Sequence, residues 1–344
     1  MKIEDIAKRA GVSKAAVSLA LNSKPGIGPE TRERILQIAR ESGYSFKSKA
    51  AEPVPQKSLL FLAFTNSGIV LEQYYQQPFF RELIHHTEER CRAKGFSLLF
   101  RSVNMDHFER DIDLVAAEHQ GNGVILLGTN LSHGQIESIS RKLPNLVVLD
   151  TSFETLPVHF VQINNVMGAY QAVAYLCASG HEEIGYVAST VRIHNFDTRR
   201  RGFETALAEH GRTLPEERVF TGSPTILTSQ PSLSEQLATY KKRTGRYPSA
   251  LFCECDYIAI SVIKTLTELG VRIPEDVSIV GFDNISEAVI VTPELTTIHV
   301  EKEKMAQLAV ELLAETIENP SPSRVKMLVD TTLVERQSCR RVGE

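Results

Sequence analysis

The stretch that decides the fold is Ile3-Glu4-Asp5-Ile6-Ala7-Lys8-Arg9-Ala10-Gly11-Val12-Ser13-Lys14-Ala15-Ala16-Val17-Ser18-Leu19-Ala20-Leu21. Ile3, Ile6, Ala7 and Ala10 fall on one helical stripe, so residues 3–10 read as a short amphipathic helix. Gly11-Val12-Ser13 makes a sharp turn, and Ser13 is a natural N-cap for a second short helix, Lys14 to Leu21. Ala16, Val17, Ala20 and Leu21 form its apolar face, which turns Lys14, Ala15, Ser18 and Leu19 outward. A third helix is expected from Pro29, a good first-turn residue, through Ile35, Ile38 and Ala39 to a stop at Gly43. Two short helices joined by a three-residue turn, with a third behind them, form the helix-turn-helix layout.

That layout suits a DNA major groove, about 12 Å wide, which admits one helix. Helix ends offer backbone N–H groups to phosphates. Three-helix bundles also serve as plain interaction modules, and charge separates the two readings. Residues 1–57 hold 11 Lys+Arg against 6 Asp+Glu, net +5, and the remaining residues hold 27 against 36, net −9. A basic head on an acidic body is what phosphate attraction requires, and the whole-chain charge of −4 conceals it.

The 344 residues, 42% of them hydrophobic, allow two or three domains with a substantial core. No apolar run reaches membrane-spanning length, and the N-terminus lacks a signal-peptide pattern, so a cytoplasmic location is expected. The five cysteines are dispersed; Cys253 and Cys255 have no second Cys/His pair at zinc spacing, so no metal and no cofactor are expected. Ser45 to Lys57, with Pro53 and Pro55, reads as a linker.

From Leu59 onward, apolar strands alternate with amphipathic helices. Strands are expected at Leu59–Phe64, Ser97–Arg101, Gly123–Leu127 and Leu146–Leu149, with helices at Phe79–Lys94, Ile112–His119 and Gly134–Lys142. The rhythm restarts with strands His159–Ile163, Ile184–Val187, Ala250–Cys253 and Val277–Val280 and helices Val166–Ala178, Arg200–His210, Ser232–Thr244 and Tyr257–Leu269. Two such runs imply two doubly wound, parallel-sheet lobes. The expected division is a head and linker at 1–57 and a core at 58–344. Lobe 1 takes 58–162 and 295–328, and lobe 2 takes 163–292 and 329–340. The chain then crosses between lobes three times.

Ligands of open α/β sheets lie at the carboxyl ends of strands. Asp150, Asn164, Asn165, Cys255, Asp256 and Asp283 stand there, joined by Arg199 if the loop before Gly202-Phe203 faces the cleft. Arg199 offers a planar fork for hydroxyls or a carboxylate, whereas Arg200 and Arg201 read as a solvated helix start. Asp283 is expected to contact ligand; Asp256 reads equally as a helix cap or a ligand contact, and Asp150 as a ligand contact or a hinge brace. No catalytic constellation, Walker loop or dinucleotide fingerprint is present, so the chain is not expected to be an enzyme. A solute-binding transport protein would share the two lobes, but would need a signal peptide in place of the basic head.

Asp5-Ile6-Ala7, Ala10-Gly11-Val12-Ser13, Ala16-Val17-Ser18 with Leu21-Asn22, and Glu30-Thr31-Arg32-Glu33-Arg34-Ile35 resemble the headpiece of the lactose/galactose-repressor family of bacterial transcription regulators. In the body, Pro78-Phe79-Phe80, Asn165 with Gly168, Gly180-His181, Arg199 with Gly202-Phe203, Gly281-Phe282-Asp283 and Leu295-Thr296-Thr297-Ile298 are similar to that family's landmarks. The resemblance covers nearly the whole chain. It implies a homodimer on a pseudo-palindromic double-stranded DNA operator and a periplasmic-binding-protein-like core that senses a small molecule, commonly a sugar. A core answering to a protein partner or a non-sugar metabolite is the alternative.

The resemblance implies DNA contacts from Ser13, Lys14, Ala15, Ser18, Leu19 and Asn22. It implies effector contacts from Arg199 and Asp283, with Asp256, Asp150, Asn195, Phe196 and Phe79 beside them. Leu19 stands where many relatives have Arg, which favours a thymine methyl over guanine. The family's hinge-helix pattern is reduced here to a single Ala, so Lys47 and Lys49 are expected to work through phosphates. Cys255 replaces a usual Asn, and Ser223-Pro224 replaces a stacking aromatic; Phe196, Tyr74 or Tyr75 are candidate substitutes for that ring.

Overall fold

The computed structural model describes residues 3–21, 26–42, 57–119 and 123–343. Asn22, Gly43, Lys47 and Lys49, and with them most of the expected linker, lie outside the described residues. The chain divides into two compact units, Met1–Gln56 and Lys57–Glu344.

In the first unit, helices α1 (Ile3–Ala10), α2 (Lys14–Leu21) and α3 (Pro29–Glu41) surround a core of Ile6, Ala7, Ala10, Val17, Ala20, Ile35 and Ala39. Gly11 takes φ +65° in the turn, where a side chain would strain the backbone. Ser13 caps α2 by accepting from the Ala16 N–H at 3.2 Å. Arg32 donates to the carbonyls of Leu19 and Ala20, which closes the other end of the same helix.

The second unit contains two six-stranded sheets. The first is ordered β11-β5-β4-β3-β1-β2: β1 (Ser58–Thr65), β2 (Ser97–Asn104), β3 (Gly123–Leu127), β4 (Leu146–Leu149), β5 (His159–Ile163) and β11 (Lys326–Val329). All its pairings are parallel. The second is ordered β12-β10-β9-β8-β6-β7: β6 (Ile184–Ser189), β7 (Val219–Gly222), β8 (Ala250–Cys253), β9 (Ser278–Asp283), β10 (Thr296–Val300) and β12 (Thr331–Val334). Only its β10–β12 pairing is antiparallel. Strands β3, β4, β6, β8 and β9 are buried along their whole length, because helices cover both faces, and this explains their unbroken apolar runs.

Helices α4 (Pro78–Ala93), α5 (Phe108–Glu118) and α6 (His133–Lys142) connect the first sheet; α7 (Asn165–Ala178), α8 (His194–Glu209), α9 (Pro231–Thr244) and α10 (Asp256–Glu268) connect the second. Helix α11 (Lys302–Glu318) returns to the first lobe and packs on α4, β3, β4 and β5.

Three expectations need correction. Residues 295–300 were expected in lobe 1, yet β10 pairs with β9 in the second sheet, so the second crossing falls at Glu301. Local pattern shows that a strand exists and not which sheet receives it. Helix α8 starts at His194 instead of Arg200, which puts Arg199 in its second turn and not in a loop. Strand β7 was not anticipated: it is a four-residue edge strand in which Thr221 is exposed.

The crossings lie at Asn164, Glu301 and Asp330. Asn164 ties two of them, taking the Val329 carbonyl with its N–H at 2.8 Å and the Asp330 carboxylate with its amide at 2.8 Å. Two of the three crossings are therefore hydrogen-bonded to each other.

Candidate functional site

Between the lobes lies a tight cavity of about 50 Å³. The first lobe contributes Phe79 and Phe80 from α4, Thr129 after β3 and Asp150 after β4. The second contributes Asn195, Phe196 and Arg199 from α8, Tyr257 from α10 and Asp283 at the end of β9. Six of the seven expected effector residues are thus brought to one cavity: Arg199, Asp283, Asp150, Asn195, Phe196 and Phe79.

Arg199 is 2% exposed and already ordered by its neighbours. Its Nε donates to Asn165 Oδ1 at 2.8 Å, one terminal nitrogen to the Glu254 carbonyl at 2.5 Å and the other to Asp283 Oδ1 at 3.1 Å. Its guanidinium lies 3.7 Å from the Phe282 ring centroid. Those contacts use three of five N–H groups and leave two for a ligand. Asp283 in turn is held from the first lobe, where Lys302 Nζ donates to its carbonyl at 3.0 Å while pairing with Glu82 at 3.2 Å.

Both cavity carboxylates sit on strained backbone, Asp150 at φ +67° and Asp283 at φ +116°. Such conformations cost on the order of 1–3 kcal/mol and persist where surrounding structure enforces them. Burial raises the pKa of Asp283 despite Arg199 and Lys302. Burial pushes Asp150 up to about 7, against the Thr129 hydrogen bond and the Arg199 charge. Asp150 also joins the lobes: Asn195 Nδ2 donates to its carbonyl at 3.0 Å and to Oδ1 at 3.2 Å, and the Thr129 hydroxyl donates to Oδ2 at 2.5 Å. Asn195 Oδ1 is buried with no hydrogen-bond partner among the described residues.

A carboxyl whose folded pKa lies above its unfolded value binds protons more strongly when folded, so its contribution to stability falls as pH rises from about 4 to 7. Asp150→Asn is expected to flatten the wild-type decline in melting temperature across that interval. An unchanged slope would place the titrating proton elsewhere.

Asp256 does not line the cavity. It is wholly buried at the start of α10, where Oδ1 accepts from the Thr297 hydroxyl at 2.5 Å and Oδ2 from the Ile285 N–H at 2.9 Å. It bolts the β8 end to the segment after β9 and caps no end of its own helix, which corrects both readings offered for it. Tyr74 and Tyr75 are not substitute rings either. Tyr74 is buried within its own lobe beside Phe80, and Tyr75 is exposed. Pro224 does line the cavity.

Sequence reasoning missed Phe80, Thr129, Tyr257 and Glu254. Thr129 follows the apolar run of β3, and the strand-end rule would have found it. Glu254 is wholly buried: it accepts from the Tyr186 hydroxyl at 2.5 Å, the Ser189 N–H at 2.5 Å and Arg192 at 2.7 and 2.9 Å. A lone carboxylate between Cys253 and Cys255 at the end of an apolar strand was its signal.

On the head, Ser13, Lys14, Ala15 and Ser18 are exposed and Leu19 is half-buried, so α2 presents one continuous face. Lys14 pairs with Glu4 at 2.5 Å. No helix among the described residues is long and apolar enough to cross a membrane.

A helix-turn-helix head followed by a two-lobed core with a ligand cavity defines a ligand-responsive DNA-binding regulator. Comparison with known proteins agrees. The family described as "Bacterial regulatory proteins, lacI family" matches residues 2–45, and "Periplasmic binding protein-like domain" matches residues 173–339. The HTH-type transcriptional repressor PurR of Pasteurella multocida (strain Pm70) is 30% identical over 342 residues, with 98% of each chain covered. The repressor of the same name from Proteus mirabilis (strain HI4320) is 30% identical over 341 residues, covering 98% of this chain and 96% of that one. Among solved structures, the complex of the transcriptional regulator CelR with cellobiose superposes with a TM-score of 0.71 at 23% identity, covering 98% of this chain and 99% of that one. The lac repressor dimer bound to operator and the anti-inducer ONPF gives 0.70 at 22% identity, covering 99% of each. The chain belongs to the lacI family of bacterial regulatory proteins, and is a DNA-binding transcriptional regulator with a ligand-binding core.

Proposed function

We propose that this regulator is a cytoplasmic homodimeric repressor whose hold on a pseudo-palindromic operator is set by a sugar or sugar derivative in the core cavity. The observation that carries the sugar reading is the cavity wall. Aromatic faces from Phe79, Phe80, Phe196 and Tyr257 stand beside Arg199 donors and Asp283 and Asp150 acceptors. A sugar ring has an apolar C–H face and a rim of hydroxyls, and needs both kinds of wall. Arg199 and Asp283 neutralise each other and burial favours the neutral form of Asp150, which suits an uncharged polyol.

Dimerisation is supported by an apolar flank on the first lobe, where Leu99 and Phe100 are about half exposed on edge strand β2 and Leu114 likewise on α5. On the head, Ser13, Lys14, Ala15, Ser18 and Leu19 form the DNA-reading face, with Leu19 suited to a thymine methyl. Ligand that favours one lobe arrangement by about 1.4–2.8 kcal/mol shifts operator affinity 10- to 100-fold.

Thermal-shift screening with neutral sugars and sugar phosphates is expected to return a stabilising compound. That compound is expected to change operator affinity at least 10-fold in a mobility-shift titration at fixed salt. Stabilisation without any change in operator affinity would break the regulatory link, and a screen without hits would remove the sugar.

A further inference from the structure

We infer that the flank of the hinge carries a second binding site, built for a small zwitterion: an α-amino acid with an apolar side chain. A recess of about 350 Å³ opens there, against about 50 Å³ for the Arg199 cavity. It falls in the range of roughly 300–1,000 Å³ typical of small-molecule sites. The two sites share no lining residue and lie on different faces of α8. Asn195, Phe196 and Arg199 face the inner cavity, whereas His194, Thr198 and Arg201 face the recess. Its other walls are residues 152–155 of the first lobe, residues 162–166 at the first crossing, and Leu328.

The recess holds two opposite charges apart. Arg201 stands on the second lobe and Glu154 on the first, and neither has an ion-pair partner among the described residues. Both act on one imidazole, that of His194, which burial keeps neutral by lowering its pKa. Arg201 adjoins the first turn of α7, because a Cβ on the neighbouring Gly202 would stand 2.3 Å from the Val166 carbonyl oxygen. In that turn Asn164 Oδ1 accepts from the Met167 N–H at 3.2 Å, which leaves the N–H groups of Asn165 and Val166 for an anion. A carboxylate is matched by those donors and the Arg201 fork, and an ammonium by Glu154.

Ser152 supplies an observation independent of charge. It is 6% exposed and lines the recess, yet its hydroxyl has no hydrogen-bond partner among the described residues. The Gln162 amide beside it is equally unpartnered there. Buried polar groups are normally satisfied, so this pair is free to serve a ligand. Phe153, Val166 and Leu328 form the apolar side, with Leu328 59% exposed, and they suit an apolar side chain.

Such a ligand joins the lobes astride the first crossing, with its carboxylate on one and its ammonium on the other. Asn165 extends the link, since it lines the recess while its Oδ1 accepts from Arg199 Nε at 2.8 Å. The regulator thereby gains a second input that reaches the effector cavity through α7 and α8.

The test is isothermal titration of the full chain with alanine, valine, leucine, methionine and phenylalanine. At least one is expected to bind with a Kd of about 1 mM or tighter. Its amide, which lacks the carboxylate, and its deaminated acid, which lacks the ammonium, are each expected to bind at least 10-fold more weakly. Arg201 and Glu154 are exposed, so Arg201→Gln and Glu154→Gln are expected to keep the melting temperature while each weakens binding at least 10-fold. If the deaminated acid binds as tightly as the amino acid, the zwitterion is wrong. If no amino acid binds, or if binding survives both substitutions, the recess is not a site for one. The sugar reading of the Arg199 cavity is tested by its own screen and stands or falls apart from these results.

Discussion

Arg199→Ala is expected to destabilise the core by about 3–5 kcal/mol and to abolish the effector response, the combination that follows from removing one partner of a buried ion pair. The substitution strips Asp283 of its cation, leaves Asn165 Oδ1 and the Glu254 carbonyl without their donor, and uncovers the Phe282 face. Asp283 cannot escape to water, because it ends a fully buried strand and is 6% exposed. Its pKa, already raised by burial, then rises further. The sign follows from linkage: a folded pKa above the unfolded one means stability is lost as pH rises, so the defect is smallest in acid and grows toward neutrality. Urea unfolding at several pH values reads this directly. The double variant Arg199→Ala/Asp283→Ala leaves no orphaned charge, so it is expected to be more stable than the sum of the single changes implies, by about 1–3 kcal/mol. Strict additivity would show that the pair is not coupled. Arg199→Lys is expected to fail as well, because an ammonium cannot fork to three acceptors while lying flat on Phe282.

This arginine also shows what was legible in the sequence. Its place at the cavity was readable from Arg199 with Gly202-Phe203, but its position within a helix was not. His194, Asn195, Asp197 and Thr198 are polar, so the start of α8 carries no apolar stripe to announce it, and the helix is anchored further along by Phe203, buried against Tyr186 and Phe252 of the sheet. The head was readable almost residue by residue, since a three-helix core of seven small and branched side chains leaves few ways to place the Gly11 turn. The lobe boundary was readable only in part. Thr296–Val300 has an evident strand pattern, but its partner β9 lies upstream across the turn at Ser286–Val289, and nothing in five residues specifies which sheet accepts them. Asp256 shows the same limit for a site residue. A carboxylate after a strand can face a ligand, cap a helix or bolt two loops, and the choice depends on where Thr297 and the Ile285 N–H arrive.

The lobes are coupled through residues that serve the cavity and the hinge together. Lys302 begins α11 directly after the second crossing, and from there holds the Asp283 carbonyl of one lobe and Glu82 of the other. Asn195 reaches across the cleft to Asp150. A ligand that engages Asp283 and Asp150 therefore acts on the groups that fix the angle between the lobes, which is the differential contact that a conformational response requires.

Gly202→Ala is the second large effect expected, and it tests how α8 is held. A Cβ at Gly202 would stand 2.3 Å from the Val166 carbonyl oxygen and 2.9 Å from its carbonyl carbon, so the obstacle is backbone of α7 and cannot rotate away. Intrinsic helix propensity favours Ala over Gly by about 1 kcal/mol, and in an open helix the substitution would stabilise. Here overpacking, about 1–3 kcal/mol and occasionally more, opposes that gain. The neighbours are equally tight, since a Cβ on Gly168 of α7 would meet the Phe282 ring at 2.6 Å. The pair cannot simply slide, so a net loss of about 2 kcal/mol is expected in urea unfolding of the core. Because α8 carries Asn195, Phe196 and Arg199, displacing it also misplaces three residues of the cavity wall, and effector affinity is expected to fall at least 10-fold even where the variant remains folded. Gly134→Ala supplies the control: that glycine lies in α6 with nothing within 4 Å of its would-be Cβ, so the substitution is expected to be neutral or to stabilise by up to about 1 kcal/mol. Equal effects of the two substitutions would mean that α7 and α8 are not in the close backbone contact on which the placement of Arg199 depends.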